Sequence, residues 1–400
     1  MPVNSDIGQL KKVIVHRPSD ELEYLTPKYL EQLLFDEIPW LGRAQKEHDL
    51  FVKNLETQGI EVFYLTDLIE EVLQTESLKE EFIIKHLDLS HIANLSTRQA
   101  VHDYLMEKDA SYVVKTLIRG LKKDYVQTLK ECKSLSDQTT KTFPFYLAPI
   151  PSMYFSRDQS VTVGKNVMLG SMLNDSRQRE TLFMEYISKY HSQFSDYECA
   201  LDKPIPRGLE GGDVIMASED LVIIGLSERT TEQAIETVAQ QLLIDKRLVK
   251  EVLVLQIPAQ RAYMHLDTVF NMVDIDKFIL YPGIKDEIYT YRLTAKNSKK
   301  VEATKAGELK KALSESLGYS VNIIYTGGDD PITAAREQWG DSTNTLALSP
   351  GTVIAYNRNV VTNDIMRKNG IEVIEFEGSE LVRGRGGPRC MSMPFERLSL

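Results

Sequence analysis

Cys390 is the residue of this sequence with the clearest chemical potential. It follows residues 383–389, where glycine and arginine recur and neither a regular helix nor a strand is expected. Glycine lets a backbone approach other groups closely, and nearby arginines favour the thiolate, which is the nucleophilic form of cysteine. The same stretch also fits a basic surface tail with an incidental cysteine, so the choice depends on other residues.

Three further places combine acidic side chains with glycine, histidine or arginine. Glu210 and Asp213 flank two glycines before an apolar run, His265 and Asp267 are two positions apart, and Asp158 follows an arginine. Side chains two positions apart on an extended strand point to the same side. Taken singly, the three places are also explained as a polar turn, a buried core histidine and a surface ion pair.

A repeat in the sequence connects these places. In each copy a polar residue precedes a short apolar run, a turn and a second apolar run, which is a pattern typical of hairpins. The four clear copies begin at Asp158, Asp213, Asp267 and Asn344, and a weaker fifth begins near Asp6. Helical periodicity follows most copies, at 45–55, 180–193, 230–243 and from 309. Five such units in a ring would bring their first residues to a common axis. The pattern predicts an α/β fold, a five-bladed αβ propeller with a pseudo-fivefold repeat.

Residues 68–142 interrupt the repeat. They are rich in leucine, lysine, glutamate and isoleucine, nearly free of glycine and proline, and spaced for helices. Pro144 marks the point where the chain must leave a helix. We predict an inserted helical subdomain over residues 68–142, within a single catalytic domain that spans residues 1–400.

Composition excludes several classes of function. The 400 residues carry a net charge of −11 with both signs mixed along the chain, whereas nucleic-acid binding needs clustered basic residues. The three cysteines are far apart and lack the spacing of a disulfide framework or zinc site. No apolar run has membrane length, and a signal-peptide core is not recognisable. We expect a cytoplasmic protein with free thiols and with neither nucleic-acid nor membrane partners.

Carboxylates brought together at the centre of such a ring are unfavourable unless a positive charge binds between them. Since paired histidines and clustered cysteines are missing from the sequence, we predict no metal and no other cofactor. A planar guanidinium has five donors that match carboxylates in pairs. Cys390 would attack its central carbon, and His265 would transfer protons to the leaving amine and from a water.

Several segments of the sequence resemble those of bacterial arginine deiminases. In chain order they are Ile7–Val13, Leu33–Asp36, Arg177–Leu182, Leu209–Val214, Ser227–Thr230, Met264–Thr268 and Arg385–Pro394. The resemblance covers essentially the whole chain, the helical insertion included. It implies a propeller of the pentein, or guanidino-group-modifying, superfamily. The implied reaction is hydrolysis of L-arginine to L-citrulline and ammonia through a covalent amidino-cysteine intermediate, in arginine catabolism.

The resemblance also implies a role for each residue at the reacting end of the site. Cys390 corresponds to the nucleophile and His265 to the general acid and base. Glu210 corresponds to the carboxylate that orients the histidine and helps hold the substrate. Asp158 and Asp267 correspond to the pair that grips the guanidinium.

Further correspondences concern the other end of the substrate. Arg177 and Arg229 match arginines that bind the substrate α-carboxylate, and Arg385 matches a mobile loop arginine near the site. Glu180 and Asp213 match acidic residues that support these groups. Ser152 stands where the family commonly has an asparagine that helps hold the carboxylate. Its shorter hydroxyl replaces an amide, which affects the carboxylate end of the site and leaves the guanidinium end unchanged.

Other functions use the same side chains. A hydrolase of methylated arginines or an amidinotransferase would need the same cysteine, histidine and acids, but the insertion and the two arginines favour free arginine over these and over agmatine. A non-catalytic propeller that binds proteins or RNA would not need these side chains at all. A metal-binding module built from His265, Asp267 and Cys390 is a further alternative. We expect the enzyme to bind L-arginine as its partner and to form a homo-oligomer, a dimer or a tetramer.

Overall fold

The computed structural model describes residues 2–130, 133–138 and 143–400. Within them, five small sheets share one plan: an antiparallel strand pair is extended by a third strand that runs parallel to one of its members. The first sheet contains β1 (Leu10–Val15), β2 (Glu61–Tyr64) and, from the far end of the chain, β19 (Met393–Arg397). The others contain β5 (Ser160–Val163), β6 (Asn166–Leu169) and β7 (Glu198–Cys199); β8 (Val214–Ser218), β9 (Leu221–Leu226) and β10 (Glu251–Gln256); β11 (Phe270–Asp274), β12 (Lys277–Leu280) and β15 (Asn322–Tyr325); and β16 (Leu346–Ser349), β17 (Thr352–Tyr356) and β18 (Glu372–Phe376).

The four clear hairpins of the sequence repeat are present, at β5–β6, β8–β9, β11–β12 and β16–β17. The weaker copy near Asp6 differs, because β1 has no hairpin partner beside it in sequence. Its antiparallel partner is β19, and Leu10 of β1 lies opposite Arg397. The first unit is therefore completed by residues from both ends of the described chain.

Two further strand pairs lie outside the repeat. β13 (Tyr289–Asn297) and β14 (Lys300–Gly307) form a long hairpin, and β13 pairs with β10 to extend its sheet. β3 (Leu121–Lys122) pairs with β4 (Phe145–Leu147). The β3 strand interrupts the region in which the sequence pattern predicts helices throughout.

A helix connects the second and third strands of each unit, as a parallel connection requires. These helices are α1 (Leu41–Thr57), α9 (Gln178–Tyr190), α10 (Glu232–Gln240), α11 (Leu309–Leu317) and α13 (Val360–Lys368). The short α8 (Ser156–Gln159) precedes β5, and α12 (Pro331–Trp339) follows β15. After α10 the chain makes one wider π-helical turn, Gln241–Asp245.

Six helices follow β2 in the region predicted to be helical. They are α2 (Leu65–Val72), α3 (Glu76–Leu89), α4 (Leu95–Met106), α5 (Ala110–Arg119), α6 (Lys123–Thr128) and α7 (Leu135–Gln138). Asn94 and Asp109 cap α4 and α5 by accepting from backbone N–H groups of the first turn. Residues 131–132 and 139–142 of the predicted insertion lie outside the described residues.

The strands of the repeat are apolar on both faces because both faces are covered. In β1, Val13 and Val15 pack into one core with Phe51, whereas Ile14 packs into another that includes Phe82 of the helical region. Alternate residues of a strand point to opposite faces, so a continuous apolar run indicates two buried faces. The polar residues that precede each hairpin are nevertheless buried as well.

None of the helices in the described part of the chain combines the length and the apolar character needed to cross a lipid bilayer.

Candidate active site

The polar residues that open the repeat units are all buried, and short turns position three of them. Asp158 lies in α8, Asp213 ends the 3-10 turn Gly211–Asp213, and Asp267 lies in the 3-10 turn Leu266–Thr268. His265 precedes the last of these turns with extended backbone angles. The sequence pattern predicts an extended segment at residues 265–267, whereas the structure has a 3-10 turn at Leu266–Thr268.

Glu210 and His265 form a buried hydrogen-bonded pair, with 2.7 Å between Oε2 and Nε2. On its other side, the Nδ1 atom of His265 lies 3.8 Å from Asp158 Oδ1. Burial disfavours the imidazolium, but the negative charges of Asp158 and Glu210 outweigh it and raise the pKa of His265 to about 9. The histidine is therefore protonated at neutral pH and able to act as an acid.

Glycines allow this close packing. A side chain at Gly211 would place its Cβ atom 2.0 Å from the backbone oxygen of Arg157, and one at Gly212 would lie 2.8 Å from the His265 ring. The backbone N–H of Gly212 also donates to Asp158 Oδ1 at 3.1 Å. The two glycines of the Glu-Gly-Gly-Asp segment are thus needed for steric reasons, which their sequence context already suggested.

Arg177 binds three carboxylates at once. Its Nε and Nη2 atoms donate to the two oxygens of Glu180 at 2.9 and 2.8 Å. Its Nη1 atom donates to Asp158 Oδ2 at 2.9 Å and to Glu210 Oε2 at 3.1 Å. Arg177 was predicted to bind the substrate carboxylate. In this structure its guanidinium binds acidic side chains instead. It supplies the positive charge that burial of these acids requires.

Cys390 lies beside Asp267 and Asn344. Its Sγ atom is 3.6 Å from Asp267 Oδ2 and accepts a hydrogen bond from Asn344 Nδ2 at 3.0 Å. Burial, together with the charges of Asp267 and Asp158, raises the pKa of the thiol well above its ordinary value. The cysteine is therefore a protonated thiol at neutral pH. Burial and the two carboxylates raise the thiol pKa more than the neighbouring arginines lower it.

Arg389 explains how the thiol loop is held. Its guanidinium donates to Asp267 Oδ2 at 2.9 Å, to Asp6 Oδ2 at 2.8 Å and to the Val214 carbonyl at 2.6 Å. In the sequence, Arg389 is noticeable only as one of the arginines of residues 383–389. Asp6, which opens the weakest repeat copy, was the available signal, because a buried acid at that position needs a cation.

Asp213 supports the turn that carries His265 and Asp267. Its Oδ1 atom accepts from the backbone N–H of Leu266 at 2.7 Å, and its Oδ2 atom accepts from the Ser227 hydroxyl at 2.7 Å. Burial raises the pKa of Asp213 to about 7, although the nearby His265 opposes this rise. Its place matches the supporting role that the resemblance implies.

Arg229 and Arg385 are buried arginines with incomplete hydrogen bonding. Arg229 Nη1 lies 3.7 Å from Glu210 Oε2, and its Nε atom, which makes no hydrogen bond, lies 3.5 Å from Glu228 Oε1. Arg385 has a left-handed backbone, with φ of 66°, and its guanidinium stacks 3.4 Å above the Trp339 ring. Its Nε and Nη1 atoms are buried without acceptors. Both side chains therefore have buried N–H groups that are able to donate to an incoming acceptor.

A small cavity joins these groups. It measures about 20 Å³, enough for a single water, and is lined by Leu34, Ser152, Phe155, Asp158, Arg177, Arg229, Met264, His265, Gly384, Arg385 and Cys390. Leu34 also lines a second cavity of about 700 Å³ that reaches the helical region at Asn94 and Lys123. Every predicted site residue except four acids lines the small cavity itself. Those four, Glu180, Glu210, Asp213 and Asp267, lie directly behind its lining residues.

Within the described residues, one group of side chains has the spacing of metal ligands: Asp158, Glu210 and His265 place one ligand atom each within 4.8 Å of one another. However, Arg177 donates to both carboxylates and His265 donates to Glu210. A metal ion at this point would have to displace both cationic groups. The set is arranged for cations of the protein or substrate, and we assign no metal to it.

Comparison with known proteins identifies the family. The sequence matches the arginine deiminase family over residues 31–397. It is 44% identical over 406 residues to an arginine deiminase of Listeria innocua serovar 6a, which covers 100% of this chain and 98% of that protein. It is 43% identical over 399 residues to an arginine deiminase of Streptococcus pneumoniae serotype 19F, with 99% and 98% covered.

Solved structures show the same fold at low sequence identity. A dimethylarginine dimethylaminohydrolase variant from Pseudomonas aeruginosa, solved with citrulline, matches 97% of this chain and 100% of its own, with a TM-score of 0.52 and 14% identity. An amidinotransferase from the saxitoxin pathway of Microseira wollei matches 99% and 97%, with a TM-score of 0.55 and 12% identity. These are pentein-fold proteins, which confirms a mixed α/β fold built of small sheets. The sequence matches go further than the fold, and the chain belongs to the arginine deiminase family.

Proposed function

We propose that this chain hydrolyses L-arginine to L-citrulline and ammonia, with Cys390 as the nucleophile. The observation that carries the proposal is the thiol beside Asp267, in one buried site with Asp158 and the Glu210–His265 pair. Asp158 and Asp267 favour a cationic substrate, since a buried carboxylate that releases its protein cation needs another one. A guanidinium provides both the charge and an electrophilic carbon.

Substrate binding would exchange one guanidinium for another. Asp158 Oδ2 accepts from Arg177 in the free enzyme, and the substrate guanidinium needs that oxygen together with Asp267. We infer that the substrate replaces Arg177 at Asp158. Arg177 then becomes available to the substrate α-carboxylate, the role that the family resemblance assigns to it.

The chemistry begins when the substrate cation neutralises the carboxylates around Cys390, because removing negative charge lowers the pKa of a thiol. Cys390 releases its proton to solvent, and the resulting thiolate adds to the central guanidinium carbon. His265, protonated in the free enzyme, gives its proton to the departing nitrogen, which leaves as ammonia. The product of this step is an amidino-thioether on Cys390.

Hydrolysis of the intermediate uses the same histidine as a base. Neutral His265 takes a proton from a water, and the resulting hydroxide adds to the amidino carbon. The carbon–sulfur bond then breaks and the added hydroxyl loses its proton to solvent, which releases L-citrulline and returns the Cys390 thiolate. Glu210 stabilises the imidazolium at each stage through its 2.7 Å hydrogen bond.

The other end of the substrate would be bound by arginines. Arg229 and Arg385 line the cavity and have buried N–H groups that make no hydrogen bond, which suits an incoming carboxylate. Ser152 lines the same cavity and offers a hydroxyl where an amide is usual. These groups distinguish arginine from agmatine, which has no carboxylate.

Access to the site would require movement. The cavity of about 20 Å³ is far too small for arginine. The loop at Arg385 is a reasonable moving part, because its donors are incompletely bonded and three glycines surround it. Leu34, which lies between the small and the large cavities, also has a left-handed backbone with φ of 59°.

We propose that the five sheets form a closed five-bladed propeller with its axis at the site. Neighbour contacts support this: β19 lies against β5, α8 against the turn Gly211–Asp213, β8 against β11, β11 against β16, and β16 against β1. One catalytic domain over residues 1–400, with a helical insertion over 68–142, follows as part of the proposal. A cytoplasmic location, which keeps the thiol reduced, and a homo-oligomer, a dimer or a tetramer, complete it.

Citrulline formation from purified protein tests the function. L-arginine should give citrulline and ammonia, and the Cys390→Ala variant should lose activity by several orders of magnitude while its circular dichroism stays unchanged. Assays with agmatine and with methylated arginines test for the other hydrolases of the superfamily. An added acceptor amine detects amidino transfer and tests for an amidinotransferase. Equal turnover of agmatine and arginine would contradict the assigned role of the cavity arginines.

A further inference from the structure

Asn344 is in direct contact with the sulfur of Cys390, and it sits at the start of the repeat unit that begins with β16. It is fully buried. Its Nδ2 atom is 3.0 Å from Cys390 Sγ, and its Oδ1 atom accepts from the backbone N–H groups of Cys390 at 2.9 Å and Gly387 at 3.1 Å. One amide side chain thus touches the thiol and the loop that carries it.

These contacts decide which way the amide faces. Backbone N–H groups are donors only, so the atom that faces both Cys390 N and Gly387 N must be the oxygen. The NH₂ group is then directed to the sulfur and to the Asp267 carbonyl, which Nδ2 meets at 3.4 Å. The donor on the sulfur is therefore fixed by the loop and not free to turn away.

A fixed donor on a sulfur atom favours the charged form of that atom. In the thiol form the S–H group points to Asp267 Oδ2, 3.6 Å away, and the sulfur lone pairs accept from Asn344. Once the proton leaves, the Asn344 bond becomes a hydrogen bond to an anion and strengthens. The other repeat units begin with aspartates. Among these first residues, Asn344 is the one with a neutral side chain that can donate a hydrogen bond.

We propose that Asn344 is a catalytic residue that holds the Cys390 sulfur in position and stabilises its thiolate through the Nδ2–H donor. This inference rests on the proposed function, in which Cys390 is the nucleophile. Other charged groups also affect the pKa of the Cys390 thiol, and the hydrogen bond from Asn344 adds to their effects. The charged or titratable groups concerned are Asp267, Asp158, Asp341, Arg389, Arg157, Tyr154 and Tyr356.

The test measures the reactivity of Cys390 in the substrate-free protein. Cys132 and Cys199, the other cysteines of the sequence, are replaced by serine so that alkylation by iodoacetamide reports on one thiol. Asn344→Ala removes the donor without adding charge, and Asn344→Asp keeps the oxygen acceptor but replaces the donor. We expect both variants to slow alkylation about tenfold to a hundredfold at a fixed pH below the thiol pKa, with the pH profile displaced upward. Loss of kcat for arginine should follow in proportion.

Asn271→Asp is the matched control. Asn271 is also buried, and it binds the segment that carries Asn344 through the Thr343 and Thr345 carbonyls at 3.1 and 2.7 Å, without a hydrogen bond to the sulfur. A structural effect on the segment at residues 343–345 would appear in the Asn271 variant and in the Asn344 variants. The displaced alkylation profile should appear only in the Asn344 variants. If the Asn271 variant shows the same displacement, the donor role is wrong.

The outcomes separate this inference from the function on which it rests. Unchanged alkylation profiles in the Asn344 variants would overturn the inference even if turnover fell. Citrulline production by Cys390→Ala would instead overturn the proposed function. Should neither Asn344 variant fold, selective ¹⁵N-asparagine labelling of the folded parent protein provides the measurement. The signal that moves in Cys390→Ser identifies the Asn344 amide, and it must titrate together with the thiolate absorbance. A signal that does not titrate would refute the proposal.

Discussion

A charged ligand should lower the pKa of the Cys390 thiol, and an uncharged ligand of the same shape should not. L-lysine and L-norleucine form such a pair. The ammonium of lysine reaches the position of the guanidinium carbon of arginine but offers no leaving group. Norleucine has nearly the same chain length, the same α-carboxylate and no side-chain charge. Neither can be turned over, so the titration of the thiol is read at equilibrium.

The size of the effect follows from the geometry. Sγ lies 3.6 Å from Asp267 Oδ2, and burial together with this charge keeps the pKa of the thiol high. Two charges about 4 Å apart at an effective dielectric constant near 20 interact by about 4 kcal/mol. Arg389 already donates to this carboxylate, so a second cation beside it removes part of that repulsion, which corresponds to a fall of about 1 to 3 pKa units.

Ultraviolet absorbance of the thiolate is the assay, in the protein whose other cysteines are serine. Saturating lysine should move the titration to lower pH, and norleucine should leave it near that of the free enzyme. Equal titrations with the two ligands would refute the reasoning. A thiol that is already ionised at neutral pH without ligand would refute it as well, because the carboxylates would then not control the sulfur.

Three other perturbations test separate parts of the structure. Arg389→Met leaves two buried carboxylates without their cation and should lower the free energy of unfolding by about 3 to 5 kcal/mol, measured by urea denaturation. His265 has a pKa of about 9 in the folded protein against 6.5 ordinarily; the stability it confers is complete below about 6.5 and lost as pH rises through about 9. Unfolding titrations should therefore show a pH dependence of about 3 kcal/mol across that window, and His265→Gln should flatten it. Arg229→Ala should raise KM for arginine tenfold or more and change the slow reaction of agmatine little, because agmatine has no carboxylate for this guanidinium. An equal effect on both substrates would place Arg229 elsewhere in the mechanism.

Local pattern was sufficient to predict most of the hairpins. In β5–β6 and β8–β9 the apolar runs are short, the turns contain glycine or acidic residues, and both signals act over a dozen residues. The partner of β1 could not be predicted in this way, because β19 lies at the other end of the sequence and carries no signal that names its partner. Strand pairing over such a distance depends on how the whole chain packs.

The site illustrates the same limit at the level of single contacts. That Asp158 and Asp267 would meet is predicted by the repeat, since both open equivalent units. Cys390 lies outside the repeat copies, and its place beside them is implied by the resemblance. The three carboxylates bound by Arg177 do not follow from it, because a long side chain can reach several groups and its choice depends on distances of a few tenths of an ångström. Asn344 opened a repeat unit in the sequence, yet its contact with sulfur required the loop geometry.

The pairing of β1 with β19 has a consequence for biosynthesis. During translation β1 leaves the ribosome early, and its antiparallel neighbour follows only after almost four hundred codons have been read. The cysteine loop immediately precedes that late strand, so a nascent polypeptide lacks both the proposed nucleophile and the strand that completes its first sheet. Until then the edge of β1 is open to pairing with other chains. Premature termination shortly before residue 390 should yield insoluble fragments and no partial deiminase, so catalytic activity depends on synthesis having passed β19.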